Sequence, residues 1–84
     1  MTSEPLQPIA DAITHEIVRL EAAYGLPLGV AVTIDPRAGT ITAHGEGLRR
    51  SGPREELVAT LTRNGLPHAT LRSSATIVVY PSAA

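Results

Sequence analysis

The sequence predicts an α+β fold with the element order helix–strand–strand–helix–strand. Apolar residues recur every three or four positions in segments 8–24 and 53–64, which is the spacing of amphipathic helices. Segments 28–34 and 40–44 alternate with a period of two, and segment 75–80 is a short run rich in β-branched residues. We therefore expect two helices to pack on one face of a small, mainly antiparallel sheet.

The first predicted helix begins at Pro5 or Pro8 and ends at Tyr24. Charged residues separate its apolar positions, so that the apolar side chains share one stripe. This stripe consists of Leu6, Ile9, Ile13, Ile17, Leu20 and Tyr24. Gly25 can adopt the left-handed conformation that ends many helices, and Pro27 prevents the helix from continuing.

A β-hairpin follows the first helix. In strand 28–34, large aliphatic residues alternate with small ones, which is typical of a strand buried on one side. Asp35 and Pro36 open a turn, and Gly39 supplies a residue that tolerates positive φ. Segment 40–44 then resumes the alternation, so the two strands are predicted to pair antiparallel.

Residues 45–52 are rich in glycine and arginine, and they predict a flexible connector. The second helix is predicted at 53–64, with Ser51 or Gly52 as its N-cap and Gly65 as its stop. The apolar residues that we expect this helix to bury are Leu57, Val58 and Leu61.

The last strand, 75–80, is apolar on both faces, which is typical of a strand that is central in a sheet or covered on both sides. The segment before it is ambiguous and leaves open a short extra strand at 68–72. We expect residues 1–84 to form a single domain, with frayed ends at 1–4 and 81–84.

The composition excludes several classes of site. The chain contains no cysteine, so disulfides, thiolate metal ligands and thiol catalysis are absent. The net charge of −1 gives no global attraction to nucleic acid or to an anionic membrane. His15, His44 and His68 fall on different predicted elements, so we expect no metal and no cofactor. No apolar run is long enough to span a membrane, and we expect a cytoplasmic protein.

One enzymatic alternative uses His44 and Glu46, which share a strand face if the second strand extends that far. A histidine and a carboxylate in this arrangement can act as a general base. Such chemistry requires a pocket, which a chain of 84 residues can hardly enclose alone. We therefore expect a protein without enzymatic activity.

An alternative function is anion or nucleic-acid binding at the start of the second helix. Guanidinium groups bind phosphate in a bidentate manner, and a helix N-terminus adds free N–H groups and a partial positive charge. The residues of this candidate site are Arg49, Arg50, Ser51 and Arg54. Glu46, Glu55 and Glu56 lie within a few residues and neutralise much of this charge.

The leading hypothesis is a small protein-binding module, a regulatory or accessory factor of bacterial or phage type such as an inhibitor. The helices are predicted to cover one face of the sheet and to leave the other for a protein partner or a second copy of the chain. The residues of this candidate interface are Ala31, Thr33, Thr40, Thr42, Val78 and Tyr80. An unpaired sheet edge offers a second route to a homodimer or to a target segment.

Overall fold

The computed structural model describes residues 6–81 and contains two helices and four strands, in the order α-β-β-α-β-β. The helices are α1 (Leu6–Tyr24) and α2 (Ser51–Arg63). The strands are β1 (Ala31–Asp35), β2 (Thr40–His44), β3 (His68–Leu71) and β4 (Thr76–Val79). The predicted α+β class and element order are confirmed, and the short extra strand is present as β3.

The four strands form one antiparallel sheet in the order β1-β2-β4-β3. Two hairpins, β1–β2 and β3–β4, meet where β2 pairs with β4. One row of the register joins Thr33 to Thr42, Thr42 to Val78, and Val78 to Ala69. The last predicted strand is therefore central, as its apolar character on both faces indicates.

Both helices pack on the same face of the sheet and enclose an aliphatic core. On that face β2 contributes Ile41 and Ala43, and β4 contributes Ile77 and Val79, each at most 1% exposed. The buried residues of the helices are Ala10, Ile13, Ile17, Leu20, Pro53, Leu57 and Leu61. Val58, which we expected to be buried, is only partly buried. Burial of these aliphatic side chains is the main driving force for folding.

Helix α1 ends at the predicted residue and α2 ends one residue before it, at Arg63, but α2 begins earlier than predicted. Gly25 and Gly65 adopt positive φ values of 70° and 67° after the two helices. The prediction that Ser51 or Gly52 caps α2 is wrong, because the N-cap is Arg50 and no side chain caps the helix. The carbonyl of Arg50 already accepts a hydrogen bond from the N–H of Arg54, so the first helical turn starts there.

The connector between β2 and α2 is packed, and the prediction of a flexible segment is wrong. It contains a 3₁₀ turn at Glu46–Arg49, in which Leu48 is only 2% exposed. The N–H of Gly47 donates to the carbonyl of Leu28 at 2.8 Å. A Cβ atom at Gly45 would overlap the carbonyl oxygen of Gly29. Glycine is therefore required at position 45 for the close approach of two backbone segments.

Strand β1 is shorter than predicted at its start. Leu28 is buried at 2% exposure, but its N–H donates to the Glu21 carboxylate and its carbonyl accepts from Gly47. Gly29 then adopts a φ of 62°, which breaks the extended backbone. The segment before Ala31 therefore anchors the helix and the connector, and sheet pairing begins only at Ala31.

The predicted frayed ends lie outside the described residues at 1–4 and 82–84, whereas Pro81 is described and is buried. Within residues 6–81, no helix combines the length and the apolar character that crossing a membrane requires.

Candidate functional site

The sheet face opposite the two helices is left uncovered by residues 6–81. Along β2 and β4, buried side chains alternate with partly exposed ones, and the register aligns the latter in rows across the sheet. We call this surface the open face. It consists of Ala31, Thr33, Asp35, Thr40, Thr42, His44, Ala69, Leu71, Thr76, Val78 and Tyr80.

The six residues predicted as an interface all lie on the open face, where the structure brings them together. Ala69 and Leu71 could not be assigned to this face from the sequence, because the pattern of segment 68–72 leaves a strand there ambiguous. Their alternation with His68 and Thr70 is the signal that locates them, once β3 is paired with β4.

The open face has a polar half and an apolar half. The half formed by β1 and β2 carries Thr33, Thr40 and Thr42. The other half, formed by β3, β4 and the residue after β4, includes Leu71 and Tyr80, which are 48% and 39% exposed. The face contains no arginine, and its only carboxylate is that of Asp35 at one corner. That carboxylate accepts hydrogen bonds from the backbone N–H groups of Arg37 and Ala38, so it stabilises the hairpin turn.

His44 is held on the open face by a hydrogen bond to the next strand. Its Nδ1 atom lies 2.9 Å from the hydroxyl of Thr76, and this hydroxyl donates its own hydrogen to the carbonyl of Ser74 at 2.9 Å. A hydroxyl has only one hydrogen, so its oxygen accepts from Nδ1–H. The Nε2 atom of His44 is the ring nitrogen left for a partner.

The structure does not form the His44–Glu46 pair that a general base would need. Among the described residues, the Glu46 carboxylate pairs with Arg49 at 2.9 Å, and no hydrogen bond joins it to His44. His68 bonds to the carbonyl of Leu66, and His15 is exposed on α1. No group of three potential metal ligands occurs within residues 6–81.

The predicted arginine cluster is divided among separate contacts. Arg49 pairs with Glu46, and the guanidinium of Arg54 donates to the carbonyls of Leu48 and Arg49 at 3.3 and 3.2 Å. Both arginines thus stabilise the 3₁₀ turn. Arg50 and Ser51 are exposed at the start of α2. Anion binding at this point stays a prediction, and an anion that recruited Arg49 would compete with Glu46.

A cavity of about 330 Å³ lies between α1 and α2, on the side of the molecule away from the open face. Its lining is mostly aliphatic and includes Ile9, Ile13, Leu57, Leu61 and Leu66.

The polar groups at the rim of this cavity already bind one another. Arg19 donates two hydrogen bonds to Glu16, at 2.9 and 2.6 Å, and Thr60 donates a third at 3.0 Å. The hydrogen bonds from Arg19 and Thr60 outweigh the effect of partial burial and lower the pKa of the Glu16 carboxyl. Asn64 donates to the backbone carbonyl of Thr60. These groups stabilise the helix pair and leave little to orient a ligand.

Comparison of the chain with protein-family models, with curated proteins and with solved structures found no match.

Proposed function

We propose that this chain is a protein-binding module without enzymatic activity, a cytoplasmic regulatory or accessory factor that acts as a homodimer. Its open face is the surface that contacts a protein partner. The observation that supports this proposal is that one whole side of a four-stranded sheet, almost free of charge, stays uncovered by the helices.

The chemistry of the open face fits a protein partner better than a charged ligand. The centres of protein interfaces are depleted in charged residues and enriched in tyrosine. Val78 lies on a central strand, with Leu71 and Tyr80 as larger exposed side chains nearby. The threonine hydroxyls of β1 and β2 can form hydrogen bonds with a partner without the desolvation cost of a charge. An apolar patch on such a sheet is a typical sign of an interaction site.

The size of the face also constrains the partner. Four strands of about five residues give a flat surface of about 19 by 17 Å. A stable complex usually buries about 800 Å² of accessible surface on each partner. One open face is therefore a small interface, suited to a transient contact or to joint use with a second copy of the chain.

The proposal is tested by capture from an extract of the source organism with three immobilised proteins: the wild type, Val78→Arg and Ala59→Arg. Val78 lies in the middle of the open face, whereas Ala59 is exposed on α2. Both variants gain the same charge, and circular dichroism establishes that each is folded. We expect a partner, identified by mass spectrometry, to bind the wild type and Ala59→Arg and to be lost from Val78→Arg. Equal binding to all three proteins would contradict the assignment of the open face.

A further inference from the structure

The two edges of the sheet are built differently. On the helix-covered side, edge strand β3 places His68 and Thr70, which are polar, whereas edge strand β1 places Val32 and Ile34. Polar residues and short strands are the usual protection of a sheet edge against pairing. Strand β3 has four residues and leads into a 3₁₀ turn at Arg72–Ser74. Strand β1 shows no comparable protection on its covered side.

The apolar side chains of β1 are incompletely covered. Val32 and Ile34 are partly exposed, although their pairing partners on β2, Ala43 and Ile41, are at most 1% exposed. Helix α1 contacts β1 on the covered side, and within residues 6–81 no further strand pairs with the outer edge of β1. A further strand that continues the sheet beneath α1 would bury this apolar surface and gain the corresponding free energy.

The backbone of β1 determines what can bind at the edge. Alternate residues of an edge strand direct their N–H and C=O groups away from the neighbouring strand. Water satisfies these groups in a single copy, whereas the protein element that matches their regular spacing is another extended backbone. The occupant that fits this edge is therefore a β-strand. The available length is five residues, because Gly29 turns with positive φ before the strand and Pro36 follows it.

We infer that the occupant is β1 of a second copy of the chain, paired antiparallel about a two-fold axis at Thr33. In this register, Val32 lies opposite Ile34 of the partner subunit, and Ala31 lies opposite Asp35 of the partner subunit. Both apolar side chains of each copy meet apolar side chains of the other, and no like charges face each other. The strand is thus complementary to itself, as a two-fold interface requires.

This inference rests on the proposed homodimer and assigns its interface. The dimer contains a continuous eight-stranded sheet with all four helices on one side. The two open faces then form one surface about 38 by 17 Å, twice the area of a single copy. That area approaches the size of a stable protein interface. Dimerisation therefore supplies the contact area that a single copy lacks for binding a partner.

Single cysteine variants test the interface directly, because the chain has no cysteine of its own. At the two-fold axis, Cβ atoms of the two copies of residue 33 lie about 5 Å apart, within reach of a disulfide. We expect Thr33→Cys to form a covalent dimer under mild oxidation at tens of micromolar. Val78→Cys is the matched control on the same face, two strands further from the edge, and we expect it to stay monomeric on a non-reducing gel. Faster cross-linking of Val78→Cys would overturn the inference in favour of two open faces packed together.

A charge variant provides a second test by light scattering after size-exclusion chromatography. We expect Val32→Lys to be a folded monomer at concentrations where the wild type is a dimer, because a lysine at a sheet edge prevents pairing. Thr70→Lys, at the other edge, should remain a dimer. A dimeric Val32→Lys would overturn the edge interface while leaving the homodimer in place. A monomeric wild type at tens of micromolar would overturn both, whereas binding of a partner to the open face is judged separately by Val78→Arg.

Discussion

Strand β4 carries similar aliphatic residues on both of its faces, but the two faces have different surroundings. Ile77 and Val79 are at most 1% exposed beneath the helices, whereas Val78, between them, is partly exposed on the open face. The same residue type thus contributes to the core on one side and to a candidate interface on the other. Hydrophobicity alone does not show which apolar residues stabilise the core and which are exposed as a candidate interface. The position of the covering helices shows it.

The largest expected effect is the loss of stability caused by an aspartate on the covered face of β4. Ile77→Asp buries a carboxylate with no partner in an aliphatic core, at a cost of several kcal/mol. This cost is comparable to the whole stability of a domain of this size, about 5 kcal/mol. We expect the variant to be unfolded by circular dichroism.

Val78→Asp is the matched variant on the open face. Water reaches this position, so we expect the free energy of unfolding to fall by about 1 kcal/mol, which is the range of β-strand propensities. Urea denaturation measures the difference between the two variants. Equal losses would show that some part of the molecule covers the open face.

The second-largest expected effect is the loss of stability caused by a side chain at Gly45, in the connector between β2 and α2. Gly45→Ala forces a Cβ atom against the Gly29 carbonyl, a backbone atom that cannot turn aside. We expect a loss of about 2 kcal/mol or more in urea denaturation.

Gly52→Ala is the control for this variant, because its Cβ atom would meet a side chain, the phenol end of Tyr24, with the hydroxyl oxygen at 2.8 Å and two ring carbons at 3.1 and 3.2 Å. That side chain is 39% exposed and can move, and alanine favours the helix. The free energy of unfolding should therefore change by less than about 1 kcal/mol. A loss as large as that of Gly45→Ala would refute the role of close backbone packing at position 45.

The smallest effect concerns the helix pair above the covered face. Glu16→Gln removes a carboxylate that accepts hydrogen bonds from Arg19 and Thr60, and should cost at most about 1 kcal/mol at neutral pH, because Arg19 is half exposed. The pKa of Glu16 is lower in the folded state than its ordinary value of 4.5. Its contribution is therefore fully present above that value and is lost as the pH falls through the folded pKa.

Thermal unfolding at neutral pH and at about pH 3 checks this sign, since the difference between wild type and Glu16→Gln should shrink in acid. Glu55→Gln, an exposed change on α2, serves as the control. A difference that grows in acid would contradict the assigned role of Glu16.

Elements that depend on local periodicity could be predicted from the sequence. The centre of the α1 stripe and the stop at Gly25 are local patterns that agree with the structure, whereas Tyr24 at the end of the predicted stripe is 39% exposed. The hairpin turn is also local, and Gly39 adopts the positive φ of 68° that its position predicts. The six predicted interface residues share one face because strand alternation is local as well.

Features that depend on contacts distant in sequence could not be predicted. The connector was expected to be flexible, because glycines in a single sequence do not reveal that Gly47 packs against Leu28. The strand order could not be predicted for the same reason, since no local pattern indicates that Ile41 pairs with Val79. The hydrogen bonds of Arg54 to the carbonyls of Leu48 and Arg49 form only once the 3₁₀ turn has folded. The cluster of arginines in the sequence does not reveal these bonds and therefore indicates an anion site.

The pairing of β2 with β4 has a consequence for the order of events in folding. Each hairpin closes a short loop, whereas the junction between the hairpins brings together segments separated by the whole of α2. Closing the longer loop costs more chain entropy before any contact is gained. We therefore expect the hairpins and helices to form early and the central junction to limit the folding rate. The middle of the sheet, which is the best buried part of the finished molecule, is then the last part to be assembled.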